Sequence, residues 1–357
     1  MGRFRYFLCY LRPRVQALLV GFALFGCYRL MAWTFGPIFS SPADGYVALR
    51  ETAPAWSPDG SKIMFVNNGD IYTSDANGNH RPRMIIYLYG HASLPRWSPD
   101  GKRIVYICLD RYYAWVCAVS ADGSNRRDLS ERSISPGVWA DWSPDGTRIA
   151  YVFYTEESAL WVMSADGNYR WQISDDVMTP AWSPDGFYLV YAQDGAIYLR
   201  RADNSGDARN LSQSKGNNTS PAWSPDGVTI AFVSDRDGNA EIYAVNTDGS
   251  DPRNLTNHAA NDHSPVWSPD GTRIAFISDR DGNEAVYLMN ADGSDQHRLM
   301  SNPSESARGM GVPAWSPDGR SLAVAVRYFG SPSSGELSRI YVVDADGANL
   351  RCLTCLD

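Results

Sequence analysis

The sequence predicts an all-β fold: a seven-bladed β-propeller of four-stranded antiparallel blades, preceded by one N-terminal membrane segment. Three observations carry this reading. The pentapeptide Trp-Ser-Pro-Asp-Gly occurs seven times, at Trp56, Trp97, Trp142, Trp182, Trp223, Trp267 and Trp315. A motif returning every 40 to 48 residues is one supersecondary unit copied along the chain. Within each interval, short β-branched and aromatic runs alternate with Gly-containing turns, the pattern of short antiparallel strands. Before the first copy lies an apolar stretch flanked by arginines.

The fifth copy serves as the template. Pro221-Ala222-Trp223 ends a short strand, and Ser224-Pro225-Asp226-Gly227 matches a type I turn, with Pro presetting φ at the second position. Ile230 to Val233 forms a second strand, Asp235-Arg236-Asp237-Gly238-Asn239 a loop, and Glu241 to Val245 a third strand. Thr247-Asp248-Gly249-Ser250 turns the chain into a fourth strand, Arg253 to Thr256. Equivalent Asp-Gly turns follow at Asp122, Asp166, Asp292 and Asp346.

Hairpin register follows from turn chemistry. Asn68-Gly69 is a type I′ signal that places Phe65 opposite Tyr72, and Asp194-Gly195 likewise places Tyr191 opposite Tyr198. Aligning the fifth copy on these sets Phe232 against Tyr243, leaving a tip from Arg236 to Asn239. A recurring aromatic cross-strand pair is a unit of sheet stabilisation.

The domain plan is a basic tail (1–14), a membrane segment (15–39) and the propeller (40–357). Residues 1–14 hold Arg3, Arg5, Arg12 and Arg14 and no acid. The apolar run Val15 to Cys27 is short alone. Extended through Leu30 to Phe39 past Arg29, it reaches the roughly 20 residues needed to span a bilayer. The positive-inside rule then leaves the tail cytoplasmic and the propeller outside, periplasmic or at the cell surface. The adopted reading is a signal anchor, since no Ala-x-Ala cleavage site follows. Leu24-Phe25-Gly26-Cys27 keeps a lipoprotein open, and ordinary secretion is the third possibility.

The chain carries a net charge of −8, and residues 1–43 contain five arginines without an acid, so the propeller is more acidic still. That argues against nucleic-acid binding, which needs Lys and Arg clusters. Cys108 and Cys117 come out diagonal across a hairpin, Cys117 facing Tyr106; they read first as small buried residues, with a bridge as the alternative. Cys352 and Cys355 could form a local disulfide in an oxidising compartment.

The repeats resemble the WD40-like propeller repeats of the TolB family, also found in propellers of prolyl-oligopeptidase-type and tricorn-type proteases. The resemblance runs from about residue 45 to the C-terminus. It implies a fold and, through TolB-like relatives, envelope protein contacts. The chain departs from TolB in having only some 40 residues before its first motif, where TolB has an α/β domain before six blades. It departs from the peptidases in lacking a Gly-x-Ser-x-Gly elbow.

Strand direction sorts the loops. The Ser-Pro-Asp-Gly and Asp-Gly turns share one uniform face, and each repeat Trp is expected to pack between blades. The opposite face carries variable segments, including Leu109 to Ala114, Phe153 to Ala159, Arg327 to Ser338, His258 to Ser264 and Ser301 to Val312. Variable loops on a rigid scaffold are where binding residues concentrate. Arg111, Tyr112, Tyr113, Tyr154, Arg327, Tyr328 and Phe329 are therefore the candidate partner contacts, because Tyr and Arg dominate interface hot spots.

Other signals read as structural. The Asp235 to Asn239 and Asp279 to Asn283 loops lack the third acid and distal Glu of calcium loops. His258, Asp262 and His263 form a solvated connection, with no third His in an equivalent loop. Arg96 and Asp141 could make an inter-blade ion pair, and the Asn-x-Ser/Thr sites at Asn210, Asn217, Asn218 and Asn254 follow from repeat chemistry. No metal, cofactor or catalytic residue is expected. The sequence thus points to a membrane-tethered scaffold for a protein, peptide or glycan. The alternative is an enzyme, such as a polysaccharide lyase or a hydrolase, acting at the central channel. One seven-bladed lyase family resembles this repeat and uses several channel histidines around a metal, whereas this chain has five histidines in all.

Overall fold

The computed structural model describes residues 54–86, 91–110, 112–134, 138–153, 158–213, 215–304, 307–328 and 337–355. The expected tail and membrane segment lie outside these. Among the described residues no helix is long and apolar enough to cross a membrane.

The described strands form seven antiparallel sheets, each built from strands consecutive in sequence. Blade 1 runs Ala55–Trp56, Lys62–Asn67, Asp70–Asp75 and Arg83–Ile86. Blade 5 runs Asn218–Trp223, Thr229–Ser234, Glu241–Asn246 and Arg253–Asn254. Blade 7 splits its first strand into Ala307–Met310 and Ala314–Trp315, both paired with Ser321–Tyr328. Leu337–Asp344 and Arg351–Cys352 complete it, so the C-terminal segment finishes blade 7.

The register matches the turn chemistry. Phe65 faces Tyr72, Tyr191 faces Tyr198 and Phe232 faces Tyr243, with ring centroids 5.9, 6.0 and 5.9 Å apart. The ladder of blade 5 stops at Ser234–Glu241, one pair short of the expected tip. The middle strands are almost wholly buried: Ile230, Ala231, Phe232, Ile274, Ala275, Phe276 and Ile277 have no exposure. Each inter-blade core alternates residues from two adjacent sheets, as where Ile63 and Phe65 pack with Ala323, Ile340 and Val342.

First strands of neighbouring blades touch one another around the axis, and the repeat tryptophans tie them together. The Trp97 indole donates to Ala55 O (3.3 Å), Trp182 to Asp141 O (3.3 Å) and Trp223 to Ala181 O (3.2 Å). Trp267 and Trp315 do the same to Ala222 O and Val266 O. Each acceptor is the residue just before the previous blade's Trp. Trp56 closes the circle by donating to Ala314 O of blade 7 at 2.9 Å. Trp142 is the exception: its Nε1 lacks an acceptor, and the Arg103 guanidinium lies 4.4 Å over its ring.

A second ring is formed by the Ser-Pro-Asp-Gly turns. In each, the Ser Oγ donates to the Asp Oδ1 at 2.5–2.6 Å. The same Oγ accepts the N–H five residues on, for example Lys62 N at 2.9 Å. The glycine sits at positive φ in every copy, from 67° to 72°, or 73° at Gly186, where a side chain would be strained. It also faces the Pro of the preceding blade, at 3.5–3.9 Å from where a Cβ would be. Gly60 meets Pro317 in this way, so blades 7 and 1 join as the other pairs do. Closure needs no shared strand among the described residues.

The structure corrects two expectations. The Cys108 and Cys117 sulfurs are bonded, with Cα atoms 5.9 Å apart, because diagonal neighbours on this twisted hairpin fall within bridging range. Cys352 and Cys355 are bonded as well, at 5.5 Å. Arg96 and Asp141 make no direct ion pair; Asp141 Oδ1 instead accepts the Trp142 N–H at 2.8 Å. Desolvation pushes the Asp141 carboxyl up, and the charge of Arg96 partly offsets this.

The turn carboxylates make stability depend on pH. Hydrogen bonds from Ser57 and Ser61 bring Asp59 from the usual 3.8 to about 2, and those from Ser268 and Thr272 do the same for Asp270. Folded values below unfolded ones mean that the ionised form favours the native state. The contribution is complete above 3.8 and is lost as the pH falls toward 2. Thermal melts between these limits should show Tm falling more steeply for the wild type than for Asp59→Asn/Asp270→Asn. Parallel curves would contradict this account.

Candidate functional site

Antiparallel order puts every Ser-Pro-Asp-Gly turn on one face and every loop between second and third strands on the other. The variable face is therefore real, but several of its loops are shorter than the sequence suggests. Blade 2 pairs as far as Leu109–Ala114 and blade 3 as far as Phe153–Ala159. In blade 7 the ladder continues to Tyr328–Leu337.

That extension decides the fate of Tyr328. It lies inside blade 7, 8 % exposed, with its hydroxyl 2.8 Å from that of Tyr341 and the Arg339 guanidinium over its ring. It is not a surface contact. Tyr112 and Tyr113 are exposed, at 63 % and 38 %, with their rings edge to face at 6.4 Å. Asp110 Oδ1 accepts both their backbone N–H groups, at 2.9 and 2.8 Å, fixing the tip. Arg111, Tyr154 and Phe329 lie outside the described residues.

Arg327 belongs to a cluster that sequence reasoning missed. His263 is the second residue of the first strand of blade 6, Asp262–Trp267, and its Nε2 lies 3.5 Å from Glu284 Oε1. Its Nδ1 lies 2.9 Å from Ser264 Oγ. Glu284 Oε2 accepts the Met310 N–H of blade 7 at 2.7 Å. Gly309 makes room for this: a Cβ there would fall 2.7 Å from Arg327 Nη2 and 2.8 Å from Glu284 Oε2. Burial pushes the Glu284 carboxyl up, but the His263 bond, the Met310 N–H and the charges of His263 and Arg327 outweigh it. Glu284 is thus held below its ordinary range, a carboxylate facing an imidazole and within the field of a guanidinium at the junction of blades 6 and 7. Such a cluster can bind an anionic or hydrogen-bonding group, or pass a proton through the imidazole.

The signal for Glu284 is in the repeats. Copy five reads Asp-Gly-Asn-Ala-Glu and copy six Asp-Gly-Asn-Glu-Ala. Exchanging two neighbours swaps which side of a strand each faces. Glu241 turns inward, 2 % exposed, and accepts bonds from Thr256 Oγ1, His258 N and Asn239 Nδ2. Glu284 instead meets the neighbouring blade.

The two Asp-Arg-Asp-Gly-Asn loops are structural. Arg236 bends back over Tyr243 at 4.4 Å, bonding Ser234 Oγ (2.9 Å) and Asn218 Oδ1 (3.0 Å). Arg280 lies over Tyr287 at 4.6 Å and bonds the buried Asp262 at 2.9 Å. Asp262, His263 and His258 therefore face separate partners. Among the described residues, the one group spaced to share a metal is Cys108, Cys117 and Asp128. Its two sulfurs are bonded to each other, which removes the thiolates a metal would need.

A family model for the TolB beta propeller domain matches residues 110–253 and 156–310, together more than half of the chain. The chain belongs to the TolB β-propeller family. Its fold is similar to that of a putative TolB from Agrobacterium tumefaciens (24% identity, 78% of this chain and 90% of that one, TM-score 0.50). It is also similar to an oligogalacturonate lyase in complex with manganese (17% identity, 81% and 87%, TM-score 0.63). A third likeness is to a puromycin-hydrolyzing peptidase of Mycobacterium tuberculosis (14% identity, 88% and 55%, TM-score 0.65). At these identities the three establish fold alone.

The paired loops of this TolB-family propeller give a direct energetic contrast. Arg280→Met strands a buried carboxylate and should cost about 3–5 kcal/mol. Arg236→Met leaves only neutral partners and should cost less. Urea denaturation measures both, and Asp262→Asn should recover part of the Arg280→Met loss. Equal costs in the two loops would refute the assignment.

Proposed function

We propose that this TolB-family chain is an extracytoplasmic binding propeller that docks a protein, peptide or glycan on its variable face. The observation that carries the reading is the contrast between the two faces. One repeats a single hydrogen-bonded turn seven times, and the other presents Tyr112 and Tyr113 on a braced tip and the His263–Glu284–Arg327 cluster between blades. Exposed tyrosines on a fixed backbone offer large contact area at low entropic cost. The two disulfides and the acidic propeller support an oxidising, non-cytoplasmic location, held to the membrane by the arginine-flanked N-terminal segment.

The His263–Glu284 pair also supports a second reading, an enzyme acting at the channel, since an imidazole beside a carboxylate is suited to proton transfer.

The test uses the full-length chain in detergent, immobilised and exposed to envelope extract. Three variants are compared with wild type: Tyr112→Ala/Tyr113→Ala, Arg327→Ala and Gly309→Ala, whose added methyl displaces the cluster. Species retained by wild type should fall at least several-fold with each variant while its melting temperature stays near that of wild type. Undiminished recovery by all three would refute the face assignment. Elemental analysis of the purified chain separates the alternatives: a stoichiometric divalent metal would favour the enzyme.

A further inference from the structure

The blade junctions of the uniform face differ at the position two residues after the turn glycine. There blade 2 has Arg103, blade 3 Arg148 and blade 6 Arg273. Each guanidinium crosses to the next blade and lies over that blade's repeat Trp: Arg103 over Trp142 (4.4 Å), Arg148 over Trp182 and Arg273 over Trp315 (both 5.2 Å). Each also points an Nη2 at the next turn's glycine carbonyl: Gly146 O (3.2 Å), Gly186 O (2.8 Å) and Gly319 O (3.5 Å). The three covered tryptophans are buried.

At the junctions of blades 7 and 1 and of blades 4 and 5, that position holds Ser321 and Tyr188. Open notches of about 510 Å³ and 470 Å³ stand where the arginine would lie, and Trp56 and Trp223 are only half-buried. The notches are built alike. The first is lined by Trp56, Pro58, Pro317, Asp59, Asp318 and Arg351. In the second their counterparts are Trp223, Pro184, Pro225, Asp185, Asp226 and Arg209. At the remaining junctions the position holds Lys62 and Thr229; Trp97 is half-buried and Trp267 is covered without an arginine.

We infer that the Trp56 and Trp223 notches are receptor sites for arginine side chains presented by a partner protein. The chain itself shows how such a side chain would sit: guanidinium over the indole, one N–H toward Gly60 O or Gly227 O. Stacking on an indole is the strongest of the side-chain cation–π contacts, and a planar guanidinium can stack and donate at once, which an ammonium does less well. Charge favours entry. Two aspartates line each notch, and Ser57 and Ser316 hydroxyls hold Asp59 and Asp318 ionised through hydrogen bonds at 2.6 Å. The cation at the first notch is already engaged, since Arg351 bonds Ala76 O at 3.0 Å. Arg320 does not line the notch; it is 85 % exposed and lies 3.9 Å from Asp318. This surface is opposite the variable face, so it stands or falls independently of the function proposed above.

The probe is the peptide acetyl-Gly-Arg-Gly-amide, with its neutral citrulline analogue as control, titrated into full-length chain carrying ¹⁵N-labelled tryptophan. Saturable shifts of the Trp56 and Trp223 indole N–H signals are expected, with Trp142, Trp182 and Trp315 unmoved and no response to citrulline. Ser321→Arg, which fills the first notch as Arg273 fills its own, should abolish the Trp56 response alone. Tyr188→Arg should abolish the Trp223 response alone. No saturable shift, equal shifts with citrulline, or shifts that survive the filling arginine would overturn the inference. Where a filled variant loses its native spectrum, the comparison of the two peptides on wild type decides.

Discussion

The bond from a tryptophan indole to the backbone carbonyl of the preceding blade is the constraint on which this molecule depends. A four-stranded blade buries its middle strands only when another blade covers each side, so no blade is stable alone. The indole sets that neighbour's distance and angle, because its N–H must reach one particular carbonyl while its ring fills the gap between first strands. Six of the seven repeat tryptophans make the bond. At the seventh, a guanidinium lies over the ring. The Pro-to-Gly contacts beneath repeat the same geometry at smaller scale. Together they explain why the pentapeptide is so uniform: each of its residues is committed to a turn or to the next blade.

The fold was legible because that commitment is written in one short motif. Blade number, strand order and the aromatic register at Phe65, Tyr191 and Phe232 follow from turn residues whose backbone demands are local. Distance between elements was harder to read. Cys108 and Cys117 sit diagonally, and only the actual twist of the hairpin brings their sulfurs together. Tyr328 looked like a loop residue because blade 7 has longer strands than its siblings, and a ladder of eight pairs, against six or seven in the other blades, carries it into the core.

The variable-face cluster shows the same limit. Arg327 was identifiable as a charged residue at a loop, but its meaning comes from Glu284 and His263, which belong to another blade. No periodicity connects residues 263, 284, 309 and 327. The exchange of Ala-Glu for Glu-Ala between copies five and six was visible, and strand alternation gives it physical content. What it could not show was that a glycine across the blade junction would leave space for the redirected carboxylate.

Because blade 7 joins blade 1 through the indole bond found at all but one of the other junctions, and through the same proline contact and mixed core, the ring has no privileged seam among the described residues. The place where this chain begins its first blade is then arbitrary as far as the barrel of sheets is concerned. Joining the ends and opening the backbone at another blade connection would preserve every contact described for the tryptophans. A circularly permuted gene is therefore compatible with the same closed ring, and copies of the repeat can be exchanged in position wherever their side chains at the junctions agree.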